Sequence, residues 1–239
     1  MSALPSPEQK PAYVSRMFAA IAPRYDLLNR VMTFGLDQGW RRFGVRYVAA
    51  ARHQAPLRAL DVATGTGDFL PLLHAAMPEA LVVGVDFSLP MMQAGLSKVF
   101  ATAGQGAYVG GDALKLPFPD NSFDAVTTGF GMRNVADLLG ALREMQRVTK
   151  PGGRLACLEV AQPRSALIRW SHRLYFNKVV PLLGAVLGGN SEAYTYLPQS
   201  AAQFPPPDHL RDLLKAAGWR HIRYRLLGLG AVAVHMAEK

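Results

Sequence analysis

The middle of the chain alternates between short apolar runs and segments whose apolar residues recur at helical spacing. The segments with helical spacing lie at 68–76, 90–102 and 137–149. The apolar runs have the length of strands and lie at 57–63, 80–86, 106–112, 122–130 and 153–160. Strands that alternate with helices form a parallel sheet with helices on both faces. The pattern therefore predicts a doubly wound α/β fold.

The first part of the chain lies outside this alternation. Residues 1–12 contain three prolines and few apolar residues, so we expect a loose tail. Residues 13–53 have a helical pattern without a strand-like run, which predicts an N-terminal helical segment.

The last third of the chain also departs from the alternation. Residues 163–205 form an insert of helical, basic and aromatic character, and a helix is predicted at 207–218. The final extended segments, 219–228 and 230–239, are joined at a glycine with no room for a crossover helix, so they are predicted to pair antiparallel. A mostly parallel, seven-stranded sheet that ends in an antiparallel hairpin is typical of the class I S-adenosylmethionine-dependent methyltransferase (Rossmann-like) fold. We expect 1–239 to be a single methyltransferase domain of this kind, with the insert as a helical lid.

Composition indicates a cytoplasmic protein. The single cysteine, Cys157, excludes an intramolecular disulfide, and the first 25 residues lack the apolar core of a signal peptide. The longest nearly apolar stretch, 179–189, is shorter than the ~20 residues that span a bilayer.

The charge of the chain is strongly positive. It carries 26 Lys and Arg against 17 Asp and Glu, a formal net charge of +9. Such a surface attracts nucleic acid or the anionic face of a membrane, although a solubilising surface rich in arginine has the same composition. Charge alone does not choose among these.

A glycine turn follows the first predicted strand, in "ALDVATGTGDFL" (59–70). A dinucleotide fingerprint needs a small residue where this chain has Leu70, so the pyrophosphate interpretation fails. The stretch Asp61-x-x-x-Gly65-x-Gly67 instead resembles the first motif of S-adenosylmethionine-dependent methyltransferases. That resemblance implies that the glycines admit the methionyl part of the cofactor and that Asp61 helps to fix its ammonium group.

Two further acids occur at the spacing of a nucleoside site. Asp86 ends the second strand and is placed to accept the ribose hydroxyls. Asp112, in "GDALKLPFPDNSFD", resembles the acid that meets the adenine amino group in methyltransferases. Ordinary turn acids are the alternative interpretation of both. The candidate cofactor residues are thus Asp61, Gly65, Thr66, Gly67, Asp86, Phe87, Asp112, Ala113 and Gly129.

The acceptor is expected beyond the fourth strand, at "TTGFGMRNV" (127–135). Enzymes that methylate base amino groups typically carry Asn or Asp, two prolines and an aromatic residue there, and this chain does not. Methylation of pyrimidine carbon needs a cysteine in the site, whereas Cys157 lies in a predicted buried strand. We therefore expect no nucleic acid substrate.

Several longer stretches resemble the ubiquinone/menaquinone biosynthesis C-methyltransferase family, and the likeness runs from about residue 13 to the end of the chain. They are "FAAIAPRYDLLNRVMTFGLDQGWRR", "DVATGTGDF", "PFPDNSFDAVTTGFGMRNV" and "VTKPGGRLACLEVAQP". Thr64 is a mild departure, since the family often has Cys, Gly or Ala there. The resemblance implies C-methylation of a polyprenylated quinol, first of all demethylmenaquinol. The benzoquinol precursor of ubiquinone, a phenolic or sterol-like small molecule, and a nucleic-acid-binding protein with a vestigial site stay as alternatives; the intact acid set argues against the last.

Three residues suit catalysis on a quinol ring. A quinol carbon becomes nucleophilic when a hydroxyl loses its proton, and the fixed cation of Arg133 would stabilise the phenolate. Asn134 and Tyr25 would hydrogen-bond the ring oxygens or a water. The alternative is that Arg133 and Asn134 only cap the next helix.

The insert has features of a membrane-surface helix. Leu167, Trp170 and Leu174 recur at helical spacing, and no acid lies between 163 and 181, where the basic residues are Arg164, Arg169, Arg173 and Lys178. A basic amphipathic helix with a tryptophan suits an anionic bilayer interface or an isoprenoid tail, although a packed lid or a homodimer contact fits as well. His172, His209 and His235 lack metal-ligand spacing, so we predict no metal site.

Overall fold

The computed structural model describes residues 9–50, 57–102, 104–163, 165–175, 178, 180 and 191–239. They include one seven-stranded sheet in the order β3-β2-β1-β4-β5-β7-β6. The strands are β1 Arg58–Val62, β2 Leu81–Asp86, β3 Gly106–Gly110, β4 Phe123–Gly129, β5 Thr149–Val160, β6 Arg220–Leu227 and β7 Val232–Glu238. β7 pairs antiparallel with both β5 and β6, and the other pairings are parallel. The predicted doubly wound sheet with a terminal antiparallel hairpin is confirmed.

Helices cover both faces of the sheet, which explains the nearly continuous apolar strands. In chain order they are α1 Lys10–Ile21, α2 Tyr25–Thr33, α3 Leu36–Ala49, α4 Leu70–Ala76, α5 Leu89–Ala94, α6 Leu96–Phe100, α7 Leu138–Val148, α8 Ala166–Leu174, α9 Ser191–Gln203 and α10 Pro207–Ala216. Alternate residues of β1 enter different cores: Ala59 packs with α3 and α4, and Leu60 packs with α7 and α10. Cys157 lies fully buried in β5, between its partners Thr128 of β4 and His235 of β7.

The N-terminal helices form a separate apolar cluster with the insert. α1 lies against α5 and α9. The buried members of this cluster are Val14, Met17, Ile21, Leu28, Val180 and Tyr196. The Tyr13 and Tyr196 rings lie 5.6 Å apart and join α1 directly to α9. We call α1, α2 and α9 the roof, because residues of α1 and α2 close one side of the pocket described below.

Two predictions at the ends of elements are wrong. The loose tail was expected to reach residue 12, but α1 already begins at Lys10; Pro11 in its first turn needs no N–H partner, so proline is compatible with this position. Residues 1–8 lie outside the described part. The strand expected at 153–160 begins at Thr149, because Thr149 pairs with Phe123 and Gly153 accepts from the Lys239 amide.

The helix predicted over 90–102 is confirmed as helical as far as residue 100, but it is divided into α5 and α6 at Gly95. A Cβ atom at Gly95 would lie 2.1 Å from the Thr66 carbonyl oxygen, so the chain has room only for glycine here. The predicted helical character of 13–53 and 163–205 is confirmed in α1–α3 and in α8 and α9. Residues 51–53, 164, 176–177, 179 and 181–190 of these predictions lie outside the described residues.

Candidate cofactor and acceptor pocket

A pocket lies at the carboxyl ends of β1, β2 and β4. The chain leaves β1 towards β2 on one side and returns to β4 on the other, so the sheet has its topological switch point between β1 and β4. Loops after these strands supply one wall, and the roof and α3 supply the other through Val14, Phe18, Tyr25 and Arg41. All the predicted cofactor residues except Gly67 therefore line the same pocket as part of the predicted acceptor site.

The glycine turn after β1 has left-handed backbone at both glycines, with φ of 56° at Gly65 and 79° at Gly67. Gly65 lines the pocket opposite Met91. Gly67 does not line it: a Cβ there would lie 2.1 Å from the hydroxyl oxygen of Tyr108. That hydroxyl donates to the Thr66 carbonyl at 3.0 Å. The absence of a side chain at Gly67 therefore leaves room for Tyr108 to hydrogen-bond the turn.

Asp61 is 1% exposed and lines the pocket at the base of this turn. Its carboxylate accepts from the hydroxyls of Thr64 at 2.7 Å and Thr127 at 2.8 Å. Burial raises the pKa of Asp61 to about 7, against the opposing effect of both hydroxyls and of Arg41. A nearby ammonium group would compensate the burial and favour the carboxylate.

Asp86 ends β2 and holds two backbone amides. One carboxylate oxygen accepts from Gly65 at 2.7 Å and the other from Ser88 at 2.8 Å. Burial raises the pKa of Asp86, and the amides lower it. Each carboxylate oxygen accepts more than one hydrogen bond, so both can also accept from a ribose hydroxyl in the pocket.

The lining fits a polar ligand beside Asp86. Ser88 lines the pocket, and its buried hydroxyl has no hydrogen-bond partner among the described residues. Buried polar atoms are rarely left unpaired, so a bound nucleoside is the natural partner. Asp112 is exposed and accepts from the Leu114 amide at 2.9 Å, which leaves its second oxygen for a base amino group.

The other predicted cofactor residues differ in whether their side chains are free to contact a ligand. Phe87, Ala113 and Gly129 line the pocket, and a Cβ at Gly129 would lie 2.7 Å from the Phe69 ring. Thr66 lines it too, but its hydroxyl donates to Asp26 at 2.6 Å and accepts from Lys98 at 2.9 Å. The Thr66 side chain therefore ties the turn to α2 and α6.

Two of the three predicted catalytic residues line the pocket, Tyr25 and Asn134. Burial raises the pKa of Tyr25, while a hydrogen bond with Asn29 and the charges of Arg133 and Arg41 lower it. Tyr25 is thus a neutral hydroxyl able to donate. The Asn134 side-chain oxygen accepts from the Tyr196 hydroxyl at 3.1 Å, which orients its amide between α9 and the pocket.

Arg133 is not among the lining residues. Its guanidinium pairs with Glu159 at 3.2 Å, and the two side chains are 7% and 1% exposed. The guanidinium also lies 5.8 Å from the centroid of Phe130, which does line the pocket. The capping alternative for Arg133 is wrong, because Asp137 caps α7 through the Gly140 amide at 3.0 Å.

Sequence reasoning missed a charged pair in the pocket, Arg41 and Asp68. They lie 3.3 Å apart, and the Arg41 guanidinium is placed 5.6 Å from Phe69 and 5.4 Å from Phe130. Burial alone would raise the pKa of Asp68, but Arg41 and Lys98 hold it at about 2. The position of Asp68 directly after Gly67 was the available signal; nothing in the sequence pairs it with Arg41.

No group of three His, Cys, Asp or Glu side chains within the described ranges has the arrangement of a metal site. His235 is buried in β7, and its ring nitrogen lies 2.9 Å from the Pro207 carbonyl oxygen. Burial lowers the pKa of His235 to about 4, so it is neutral in the core. No helix of the described part is long and apolar enough to cross a membrane.

Comparison with known proteins gives consistent matches along the chain. A model of the ubiE/COQ5 methyltransferase family matches residues 6–239. The demethylmenaquinone methyltransferase of Roseiflexus castenholzii is 56% identical over 237 residues, 99% of this chain and 97% of that protein. The ubiquinone/menaquinone biosynthesis C-methyltransferase UbiE of Desulfotalea psychrophila is 43% identical over 227 residues, 95% of this chain and 90% of that protein. The crystal structure of a SAM-dependent methyltransferase from Aquifex aeolicus shares the fold, with a TM-score of 0.56 at 20% identity over 87% of this chain and 91% of that one.

Proposed function

Since the chain belongs to the ubiE/COQ5 methyltransferase family, we propose that it methylates a ring carbon of a polyprenylated quinol with S-adenosylmethionine, most directly demethylmenaquinol. The observation that carries the proposal is the single pocket in which a nucleoside-type carboxylate set adjoins Tyr25 and Asn134. The benzoquinol precursor of ubiquinone is the second candidate, because some relatives are named for both quinones.

The cofactor would extend across the ends of β1 and β2. Bound S-adenosylmethionine would supply a methyl group on a sulfonium, whose sulfur leaves as a neutral thioether. Asp61 would pair with the ammonium group, Asp86 would accept from the ribose, and Asp112 would meet the adenine amino group. Ser88, whose hydroxyl lacks a partner in the described structure, would complete the nucleoside contacts.

The acceptor end supplies hydrogen bonds and fixed charge. Tyr25 and Asn134 would hydrogen-bond the quinol oxygens or a water that carries the hydroxyl proton away. Asp68, whose pKa of about 2 makes it a weak base, would stay ionised and hold Arg41 in place. Arg41 lines this pocket, and Arg133 lies behind Phe130. Both charges lower the pKa of Tyr25 and would favour a phenolate. When the methyl group forms its bond to the ring carbon, its bond to sulfur breaks; the ring carbon then loses its hydrogen as a proton to water, and the ring regains aromaticity.

The substrate also determines where the protein works. A polyprenylated quinol dissolves in lipid, so the proposal places the protein in the cytoplasm with peripheral contact to an anionic membrane surface. Phe18, Phe69 and Phe130 among the lining residues would shelter the ring from water.

The test of the proposed function is quinone extraction from a strain that lacks the protein. Accumulation of demethylmenaquinone would support the naphthoquinol substrate, and accumulation of a demethylated benzoquinone would support the second candidate. Purified protein should methylate a short-chain demethylmenaquinol kept reduced, but not the oxidised quinone, because only the quinol has a hydroxyl to ionise. Equal turnover of the quinone without a reductant would contradict the phenolate mechanism.

The cofactor site has its own test. Asp86→Ala should weaken S-adenosylmethionine binding by roughly 1–3 kcal/mol, because the ribose loses a charged acceptor and the Gly65 amide loses its anchor. Asp120→Ala is the control, since Asp120 is exposed and lies outside the pocket lining. Calorimetry that gives both variants the wild-type affinity would remove Asp86 from the site.

A further inference from the structure

Large apolar side chains are exposed on three neighbouring parts of the molecule. The turn between α2 and α3 exposes Phe34 by 79% and Leu36 by 54%, and the turn between β6 and β7 exposes Leu229 by 79%. Helix α8 exposes Leu167, Trp170 and Leu174 by 75%, 64% and 48%. We call these six residues the apolar rim.

Contacts within the structure bring the three parts together. The Phe34 ring lies 6.2 Å from Tyr175, which follows α8, and the Tyr175 hydroxyl donates to the Met32 carbonyl at 3.0 Å. On the other side, a Cβ at Gly228 would lie 2.9 Å from the ring of Trp40, one helical turn after Leu36. The turn that carries Phe34 and Leu36 therefore adjoins both α8 and the turn that carries Leu229.

The apolar rim lies at the pocket end of the sheet. β5 leads into α8, and β6, which runs in the same direction as β5, leads into the turn with Leu229. Helix α2 begins at Tyr25 in the pocket lining and ends next to Phe34. Its nine residues put Phe34 roughly 13 Å from the pocket wall.

The backbone at the two most exposed residues of the apolar rim is unusual. Phe34 has φ of 52° and Leu229 has φ of 57°, in the left-handed region that favours glycine or asparagine. A large apolar side chain at such a position is unfavourable for the backbone and exposes hydrocarbon to water. Phe34 and Leu229 combine left-handed backbone with an exposed apolar side chain, and they lie at the same end of the molecule. This combination points to a binding role.

Charge indicates what the apolar rim meets. The segment 163–190 contains four basic residues and no acid, and Arg169 and Lys178 are exposed. Apolar and aromatic tips next to exposed cations match the interface of a bilayer with anionic headgroups. A protein partner of comparable fit would have to offer both an apolar surface and acidic groups.

We propose that the apolar rim inserts into the headgroup–acyl boundary of an anionic lipid bilayer and holds the pocket next to the membrane. The inference rests on the proposed function for its purpose, the delivery of a lipid-dissolved quinol, and its test does not depend on catalysis. Phe34 and Leu229 enter the lipid as two tips on turns, and α8 lies along the surface.

The test compares the wild-type protein with the double variant Phe34→Asn, Leu229→Asn in vesicle sedimentation. Asparagine tolerates left-handed backbone, so the variant should keep the wild-type melting temperature. Wild-type protein should bind phosphatidylglycerol-containing vesicles more tightly than pure phosphatidylcholine vesicles, and the double variant should bind the former at least about tenfold more weakly. The matched control is Phe100→Asn: Phe100 is 75% exposed at the end of α6, and this variant should bind within about twofold of wild type.

Other outcomes would overturn the proposal. Wild-type protein that ignores anionic vesicles, or a double variant that binds them like wild type, contradicts it. Dimerisation that the double variant abolishes, without vesicle binding by wild type, would assign the apolar rim to a second copy of the chain instead. Turnover of a water-soluble short-chain quinol should be equal in the wild type and the double variant. If neither protein turns this quinol over, the proposed function is contradicted, but the vesicle experiment still tests whether the apolar rim binds lipid.

Discussion

Asp61 is a pocket residue whose protonation changes near neutral pH. Because burial raises its pKa to about 7, the carboxyl is ionised above that pH and neutral below it. A neutral carboxyl cannot pair with the cofactor ammonium. We expect S-adenosylmethionine affinity to fall as the pH drops from 8 to 6, approaching about tenfold per pH unit below the pKa. Calorimetry across this range measures it.

Two controls isolate the carboxyl of Asp61. 5′-Methylthioadenosine keeps the nucleoside and lacks the ammonium group, so its affinity should not follow the titration of Asp61. Asp61→Asn should bind S-adenosylmethionine weakly and with a flat profile between pH 6 and 7.5. A wild-type profile that is equally flat would show that Asp61 does not contact the ammonium.

Arg133 separates electrostatic catalysis from simple packing at one position. Lysine keeps the charge next to Glu159 but loses the planar fork that faces both Glu159 and Phe130. Because the charge is kept, Arg133→Lys should keep kcat for a short-chain quinol near the wild-type value, whereas Arg133→Gln, which removes the charge, should lower kcat on the order of tenfold and keep cofactor affinity. Single-turnover methyl transfer and thermal unfolding, measured on one sample, give both quantities. Wild-type turnover of Arg133→Gln with a lowered melting temperature would leave Arg133 only a structural role.

At the level of elements, Gly95 sets the position of two helices against the cofactor turn. Gly95→Ala would bring its Cβ against the Thr66 carbonyl, which is backbone and has no room to yield. We expect a loss of at least roughly 1–3 kcal/mol in the free energy of unfolding, measured by urea denaturation.

Gly39 is the control for Gly95, because it is a glycine with free space for a side chain. It is exposed in α3, and a Cβ there meets nothing within 4 Å. Gly39→Ala should raise the free energy of unfolding by about 0.5–1 kcal/mol, because alanine restricts the unfolded chain and suits a helix. Equal effects of the two substitutions would contradict the steric account of Gly95.

The strands could be predicted from the sequence because both faces of this sheet are covered. β1 and β2 are apolar almost throughout, and Asp61 and Asp86 mark their carboxyl ends. The division at Gly95 could not be predicted, because its cause is a carbonyl oxygen nearly 30 residues away along the chain. The start of α1 was missed for a local reason: Pro11 was counted with the other prolines as a sign of a loose tail, whereas proline is compatible with the first turn of a helix.

The candidate site shows the same division between local and distant causes. Asp61, Asp86 and Asp112 lie at or just beyond the carboxyl ends of β1, β2 and β3, so their meeting at one edge of the sheet follows from the parallel topology. Arg41 lies 27 residues before Asp68 on a helix that only packing brings to the pocket. Arg133 was placed near the correct strand end, but its partner Glu159 on β5 was not foreseen.

Across the whole molecule, Lys98 joins the roof to the sheet domain. Its ammonium lies 2.6 Å from both Asp26 of α2 and Asp68 of the cofactor turn. Lys98→Met should lower the free energy of unfolding by about 1–2 kcal/mol, because buried Asp68 loses one of its cations. S-adenosylmethionine dissociation should become about tenfold faster, as the roof opens more often.

Stopped-flow displacement of the cofactor measures this rate. Lys215→Met is the control, since Lys215 is exposed on α10 and pairs with no acid of the pocket. Unchanged dissociation in Lys98→Met would mean that the roof is held by its apolar cluster alone.

The burial of Cys157 makes its reaction with a thiol reagent a measure of how often the surrounding sheet opens. It is the only thiol in the chain, it is shielded completely within β5, and burial raises its pKa. A thiol reagent can therefore label the protein only when the sheet around β5 comes apart, so the labelling rate counts such events without any engineered probe. A ligand that binds only the folded protein would lower this labelling rate as more of the protein is bound. The labelling rate of Cys157 therefore reports the binding of both cofactor and quinol.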